Sequence, residues 1–183
     1  MALWGNTDAD EAKPKWLTTD EKDTTFATDR GWVRLNGKGQ EEVLCAIGGL
    51  STSVAGADIT RVAFVSTSLS KAAGGNIDVR VTFNEKVTVA GGTPTLVITN
   101  DQTGGGSSAT LSASYTSGSG TNRLVFRVTL AANAAAVAAG NSLSVGAQNI
   151  AYGGGTMKDT GTTTNSGVAI GASTATNTVT VAA

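Results

Sequence analysis

The chain has 183 residues, 13 Lys and Arg against 14 Asp and Glu, and a formal net charge of -1 at pH 7. Only 15% of its residues are charged, so it lacks the basic surface that nucleic-acid binding requires. It contains no histidine, which excludes Ser-His-Asp and Cys-His catalysis and every imidazole metal site.

The first segment, MALWGNTDADEAK, has neither a basic start nor the apolar stretch of roughly 7–15 residues that a secretory signal needs. No window of the chain approaches the ~20 apolar residues of a membrane-spanning helix. We therefore expect a soluble protein that is made in a cytoplasm and has no membrane partner. The acidic cluster from Asp8 to Glu11 lacks the spacing and the glycine of an EF-hand, so we interpret it as a solvated segment rather than a cation site.

All three tryptophans lie in the first 32 residues, inside the most highly charged segment, and residues 1–29 have no sustained hydrophobic period. Burial of one tryptophan is worth about 4–6 kcal/mol, whereas ordering some 30 backbone residues costs about 30–60 kcal/mol. We therefore predict an extended N-terminal arm that is ordered by a partner surface, since tryptophan is a frequent interface anchor. The predicted docking residues are Trp4, Pro14, Trp16, Phe26 and Trp32.

The stretch GWVRLNGKGQEEVLCAI predicts a small β-hairpin, because an alternating segment leads through a Gly-Lys-Gly turn to Val43 and Leu44. An alternative to docking stays open here, in which the tryptophans form a small core with Phe26 and the apolar residues of this hairpin. We interpret NGKGQ as a plain turn, because the phosphate-loop pattern of Gly, four residues and Gly-Lys-Ser/Thr is absent. Cys45, the single cysteine, is interpreted as a buried and unreactive thiol.

The composition changes near residues 51–58. Residues 1–60 carry 16 charged side chains, whereas residues 61–183 carry 11 over twice the length. The stretch GGLSTSVAGAD, at this change in composition, is small and polar enough to be a linker. We predict an N-terminal arm and docking segment over residues 1–57 and an all-β domain over residues 58–183.

The second region has the period-2 alternation of half-buried strands. In NIDVRVTF the apolar residues Ile77, Val79, Val81 and Phe83 alternate with polar ones, and the pattern recurs in KVTV, TLVIT, ATLSASY and RLVFRVTL. Segments rich in Gly, Asn and Ser separate them and suit hairpin turns, so we predict a sandwich or barrel. AANAAAVAAG, at 131–140, favours a short helix ending at Gly140. SLSVG, NIAYGGG and NTVTVA are the last predicted strands.

Few acidic residues remain for chemistry in this second region. Glu85 and Asp159 fall where strands turn, so we interpret them as turn or capping residues rather than as a catalytic pair. We expect a protein that is not an enzyme and that binds no cofactor or metal. Tyr115 and Tyr152 are the only tyrosines, so a ring-lined glycan site is open but unsupported.

Three stretches carry a resemblance, namely AFVSTSLSKAAGGNIDVRVTFNEKVTVAGGTPTLVITN, SYTSGSGTNRLVFRVTLAAN and NIAYGGGTMKDTG. In this order they resemble the bacterial Ig-like modules of surface adhesins and phage virion proteins, over about residues 61–183. The resemblance implies an Ig-like β-sandwich. Because such sandwiches serve adhesion, recognition and spacing alike, it implies no single function.

The start, MALWGNTDADEAKPKWL followed by GWVRLNGKGQEEVLCAIG, is similar to the opening of virion structural proteins of tailed phages that infect marine bacteria. This resemblance implies a capsid decoration or cement protein, bound to the major capsid protein or another virion protein and assembled in the host cytoplasm. A tail or neck component is the first alternative, and a carbohydrate-binding adhesin module for host attachment is the second. Homo-oligomerisation stays open.

Overall fold

A computed structural model describes residues 13–53, 56–172, 174–175 and 177–183. Within these ranges the chain is built from strands and turns, with two short helices. The predicted all-β class is confirmed. No helix in this described part is long and apolar enough to cross a membrane.

Residues 13–53 form what we call the N-terminal unit. Its elements are α1 (Thr19–Thr24), β1 (Thr25–Thr28), β2 (Gly31–Leu35), β3 (Glu41–Ala46) and α2 (Leu50–Ser53). The strands form an antiparallel sheet in the order β1-β2-β3. The predicted hairpin is present as β2 and β3. Its turn is a plain one, because the Asn36 Oδ1 accepts hydrogen bonds from the backbone N–H groups of Lys38 and Gln40 at 2.9 and 3.0 Å.

The prediction of an extended arm is wrong for residues 13–29. Helix α1 begins with a capping box, in which the Thr18 hydroxyl accepts from the Glu21 N–H at 3.3 Å and the Glu21 carboxylate accepts from the Thr18 N–H at 2.9 Å. Strand β1 then pairs with β2 along its whole length. The capping box and the pairing of β1 with β2 provide backbone hydrogen bonds that help to order this segment. Burial of the tryptophans alone could not order it.

Residues 56–183, where described, form what we call the main β-unit. Nine of its strands form one sheet in the order β12-β6-β9-β8-β7-β10-β14-β5, with β4 paired to β6, and β11 pairs with β13 separately. The strands are β4 (Ile59–Phe64), β5 (Ser68–Ser70), β6 (Gly75–Ala90), β7 (Thr95–Asn100), β8 (Thr110–Ser117), β9 (Thr121–Leu130), β10 (Ser142–Ser144), β11 (Gln148–Asn149), β12 (Thr156–Asp159), β13 (Ala169–Ile170) and β14 (Val179–Ala182).

The nine-stranded sheet curls around a single core. Met157 of β12 and Val181 of β14 lie near opposite ends of the strand order, yet both belong to the same buried cluster. Two hydrogen bonds connect β4 to the segment that precedes β14. The Asn177 side chain accepts from the Phe64 N–H at 2.7 Å and donates to the Phe64 carbonyl at 3.1 Å. The alternating residues of the predicted strands point inward, which confirms the period-2 interpretation: Ile77, Val79, Val81, Phe83, Ile98, Leu124 and Phe126 are each 0% exposed.

The predicted helix over 131–140 is wrong, because this alanine-rich stretch forms consecutive turns. Asn133 has a φ of 55°, outside the right-handed helical region. The carbonyls of Ala135 and Ala136 accept from the N–H groups of Ser107 and Ser108 instead of from a next helical turn. Pairing with a neighbouring loop therefore overrides the helix propensity of alanine. The division into domains at residues 57 and 58 stays a prediction, although Ala57 already belongs to the main core.

Gly31 is the residue of the N-terminal sheet that tolerates no side chain. Its φ is +122°, and a Cβ there would lie 2.0 Å from the Cys45 carbonyl oxygen. We expect Gly31→Ala to lower the free energy of unfolding by about 2 kcal/mol or more, because strain and a backbone clash add. Urea unfolding followed by tryptophan fluorescence, to which the buried Trp32 contributes, measures this.

Gly37→Ala is the matched control, since a Cβ at Gly37 meets nothing within 4 Å. We expect it to change stability by less than about 0.5 kcal/mol. Equal effects of the two substitutions would contradict the described pairing of β2 with β3.

Candidate functional site

The predicted docking residues have different environments. Trp4 lies outside the described residues. Pro14 is buried, and Phe26 and Trp32 are 1% and 0% exposed. Trp16 is 61% exposed. The docking prediction is therefore corrected for Pro14, Phe26 and Trp32, whose side chains fill the interior of this chain.

Trp32 is buried on one face of the N-terminal sheet. It pairs across the strands with Ala27, and Leu50 of α2 completes the buried cluster, with Cys45 and Ile47 packed against it. The alternative of a small tryptophan core is met only by Trp32, because Phe26 and Val33 are not members of this cluster. Cys45 is half-buried rather than fully buried.

Phe26 faces the opposite side of the same sheet, because neighbouring residues in a strand alternate. It pairs with Val33, which is also fully buried. The ammonium of Lys86, on β6, lies 4.8 Å from the centre of the Phe26 ring, within the range of a cation–π interaction. The second face of the small sheet is thus covered by the main β-unit.

Trp16 lies in a turn that the rest of the N-terminal unit holds in place. The Leu17 N–H donates to the Pro14 carbonyl at 3.3 Å, and the Lys13 ammonium donates to the Lys22 carbonyl at 3.0 Å. Leu17 is only 7% exposed. Its packing and these bonds fix a turn from which the Trp16 ring is presented to solvent.

Strand β3 is the other exposed element of the N-terminal unit. Among the described residues it pairs only with β2, and Val43 on it is 41% exposed. An edge strand of this kind offers backbone donors and acceptors to another chain. We call Trp16 and β3 together the docking elements.

The two units meet at a polar contact region that we call the junction. The buried Asn122 amide donates to the Asp23 carbonyl at 3.1 Å and to the Phe83 carbonyl at 3.4 Å. Arg61 forms an ion pair with Asp23, and Lys86 forms one with Glu41 at 2.7 Å. One amide and two ion pairs therefore tie the N-terminal unit to β4, β6 and β9.

An acidic cleft of about 650 Å³ opens beside the junction. It is lined from the N-terminal unit by Ala27, Thr28, Asp29 and Ser51, and from the main β-unit by Glu85, Lys86, Asp159, Thr160, Gly161, Thr162 and Thr164. Three acidic residues, Asp29, Glu85 and Asp159, thus line one cleft together with several serine and threonine residues. Among the described residues, however, no group of three Cys, Asp or Glu side chains is arranged to hold a metal ion.

Glu85 is the unusual member of this cleft. It is 1% exposed, and neither of its carboxylate oxygens has a hydrogen-bond partner among the described residues. Burial, followed by the nearby charges of Asp159, Asp58 and Asp29, raises its pKa from 4.5 to about 8. The interpretation of Glu85 as a turn residue is therefore wrong. The sequence contained a signal for this burial. Glu85 lies two residues after Phe83 in the alternating strand, so it occupies an inward position where the pattern predicts an apolar residue.

Asp159 fits its predicted turn role better. Its carboxylate accepts a hydrogen bond from the Thr162 hydroxyl at 3.3 Å. It is 7% exposed, and burial raises its pKa. Asp159 therefore closes its own turn while adding a second buried acid to the cleft.

Comparison of the chain with known protein families, with curated proteins and with solved structures finds no match.

Asn122 is the residue whose loss tests the junction most simply. Asn122→Ala leaves the carbonyls of Asp23 and Phe83 without their shared buried donor, so we expect the free energy of unfolding to fall by about 1–3 kcal/mol. The control is Asn76→Ala, which removes an exposed amide on the same sheet and should cost less than about 0.5 kcal/mol. Chemical denaturation compares them, and an Asn122 effect no larger than that of Asn76 would contradict the junction.

Proposed function

We propose that this chain is a non-enzymatic structural protein of a tailed-phage virion. In this proposal it is a capsid decoration protein, its docking elements bind the major capsid protein, and its main β-unit is an Ig-like module displayed outward. The virion setting rests on the two sequence resemblances. Binding to a lattice would be reinforced by multivalency, because each copy repeats the same contact.

The exposure of Trp16 is the observation that carries the docking part of the proposal. A large aromatic ring that is 61% exposed on a turn held by hydrogen bonds has the character of an interface hot spot. The edge strand β3 also supports docking, because an extended segment of a partner can pair with it as a further strand. Trp16 is not a member of the core of the N-terminal unit, whose buried members are Ala27, Trp32 and Leu50.

A glycan-binding function has less support than docking. Tyr115 is engaged within its own hairpin: its ring packs edge-on against Phe126 at 6.1 Å, and its hydroxyl accepts from the Ser119 N–H at 2.9 Å. Tyr152 is half-buried against the main core. The two tyrosines thus form no exposed stacking platform of the kind that sugar rings require. A tail or neck location is an alternative that differs from the proposal only in where the chain docks.

Particles purified after deletion of the gene for this chain provide the test. Wild-type protein added back should bind them, and electron microscopy should place it on the capsid rather than on the tail or neck. Trp16→Ala and Val43→Lys should each weaken rebinding by about tenfold or more, because each removes a contact at the docking elements.

Val97→Lys is the matched control for Val43→Lys. Val97 is 43% exposed, nearly the same as Val43 at 41%, but it lies on β7 of the main β-unit. We expect its rebinding to equal that of the wild type. Failure of the wild type to rebind, or equal losses from the two valine substitutions, would refute docking through the N-terminal unit.

A further inference from the structure

A buried acid without partners is the feature of this chain that docking does not explain. Glu85 is 1% exposed and its two carboxylate oxygens receive no hydrogen bond from any described residue. An ionised carboxylate in such a place is strongly unfavourable, whereas a protonated one is tolerated. The structure around Glu85 is therefore suited to its neutral form.

Every element packed around Glu85 adds to this preference or leaves it unchanged. Asp159 faces it from β12, Asp58 from the residue before β4, and Asp29 from the turn between β1 and β2, and all three disfavour its charge. Lys86 is its neighbour in β6, but the Lys86 ammonium bonds Glu41 and lies over Phe26. Burial and these three acidic neighbours therefore favour the protonated form of Glu85.

Glu85 also lies between two contacts of the junction. Before it, the Phe83 carbonyl accepts a hydrogen bond at 3.4 Å from the Asn122 amide, which also donates to the Asp23 carbonyl of the N-terminal unit. After it, Lys86 reaches the N-terminal unit at Glu41. Movement of β6 to hydrate a charged Glu85 would therefore disturb the contacts that seat the small sheet.

We propose that protonated Glu85 keeps the N-terminal unit closed on the main β-unit, and that ionisation of Glu85 opens the junction. This switch does not depend on what the chain docks on. The closed junction retains the Glu85 proton, and the open one hydrates the carboxylate and releases the proton to water.

The direction of the pH dependence follows from the pKa of Glu85, which is raised from 4.5 to about 8 in the closed form. Between these values the closed form holds more protons than the open form, so closure weakens as pH rises and reaches a plateau above about 8. Glu41 does not share this window, because its hydrogen bond from Lys86 lowers its pKa.

Hydroxyl-radical footprinting of the full chain in EDTA tests the switch. Phe26, 1% exposed beneath Lys86, reports the junction, and Phe126, 0% exposed in the main core, reports global unfolding. As pH rises from 6 to 9, labelling of Phe26 should increase, by up to about tenfold per pH unit below pH 8 while the open form is the minor one. Labelling of Phe126 should stay constant.

Glu85→Gln should abolish the rise at Phe26, and Glu85→Met, which is neutral and apolar, provides a second variant if the amide perturbs folding. The control is Glu42→Gln, which removes an exposed carboxylate paired with Arg34 and should keep the wild-type rise. The proposal is overturned by constant labelling of Phe26 in the wild type, by an equal rise in the neutral Glu85 variants, or by parallel rises at Phe26 and Phe126.

Discussion

Strand β6 changes its partners between Thr82 and Val87, and this shift positions everything that surrounds the junction. Before the shift it pairs with β4 and β9, and after it β12 becomes its principal neighbour. Three consecutive residues at the shift have different positions and contacts. Asn84 binds the chain that enters β4, Glu85 turns inward beside the acidic cleft, and Lys86 turns outward to the N-terminal sheet. The irregularity in β6 thus places Lys86, one of the residues that join the two units.

The strand predictions that rested on period-2 alternation agree with the structure. Period-2 alternation located β6 to β9 because the side chains of a strand alternate between core and solvent wherever it pairs. The failures have both local and long-range causes. The alanine-rich stretch bonds to residues 107–108 instead of forming a helix. Residues 13–29 gain order from a capping box and from pairing with β2. Glu85 occupies an inward position whose chemical consequence depends on acids from three distant segments.

The tryptophans illustrate how far an energetic argument from sequence extends. Their burial cannot order an arm of about 30 residues, because backbone entropy outweighs it several-fold. In the described residues the deficit is met within the chain, by strand pairing and by the packing of Trp32 on Leu50. Only Trp16 among the described tryptophans is left largely exposed. Our proposal therefore assigns attachment to a folded unit that carries one aromatic anchor and one edge strand, and display to the main β-unit.

The central claim is that Glu85 is protonated when the two units are joined. Titration of the Glu85 side-chain carboxyl carbon by NMR in the intact chain measures this directly. We predict a midpoint near the pKa of about 8 that its buried position and acidic neighbours produce, so the carboxyl is mainly neutral at pH 7. A midpoint near the ordinary value of 4.5 would show that the closed junction holds an ionised Glu85 and would contradict the account.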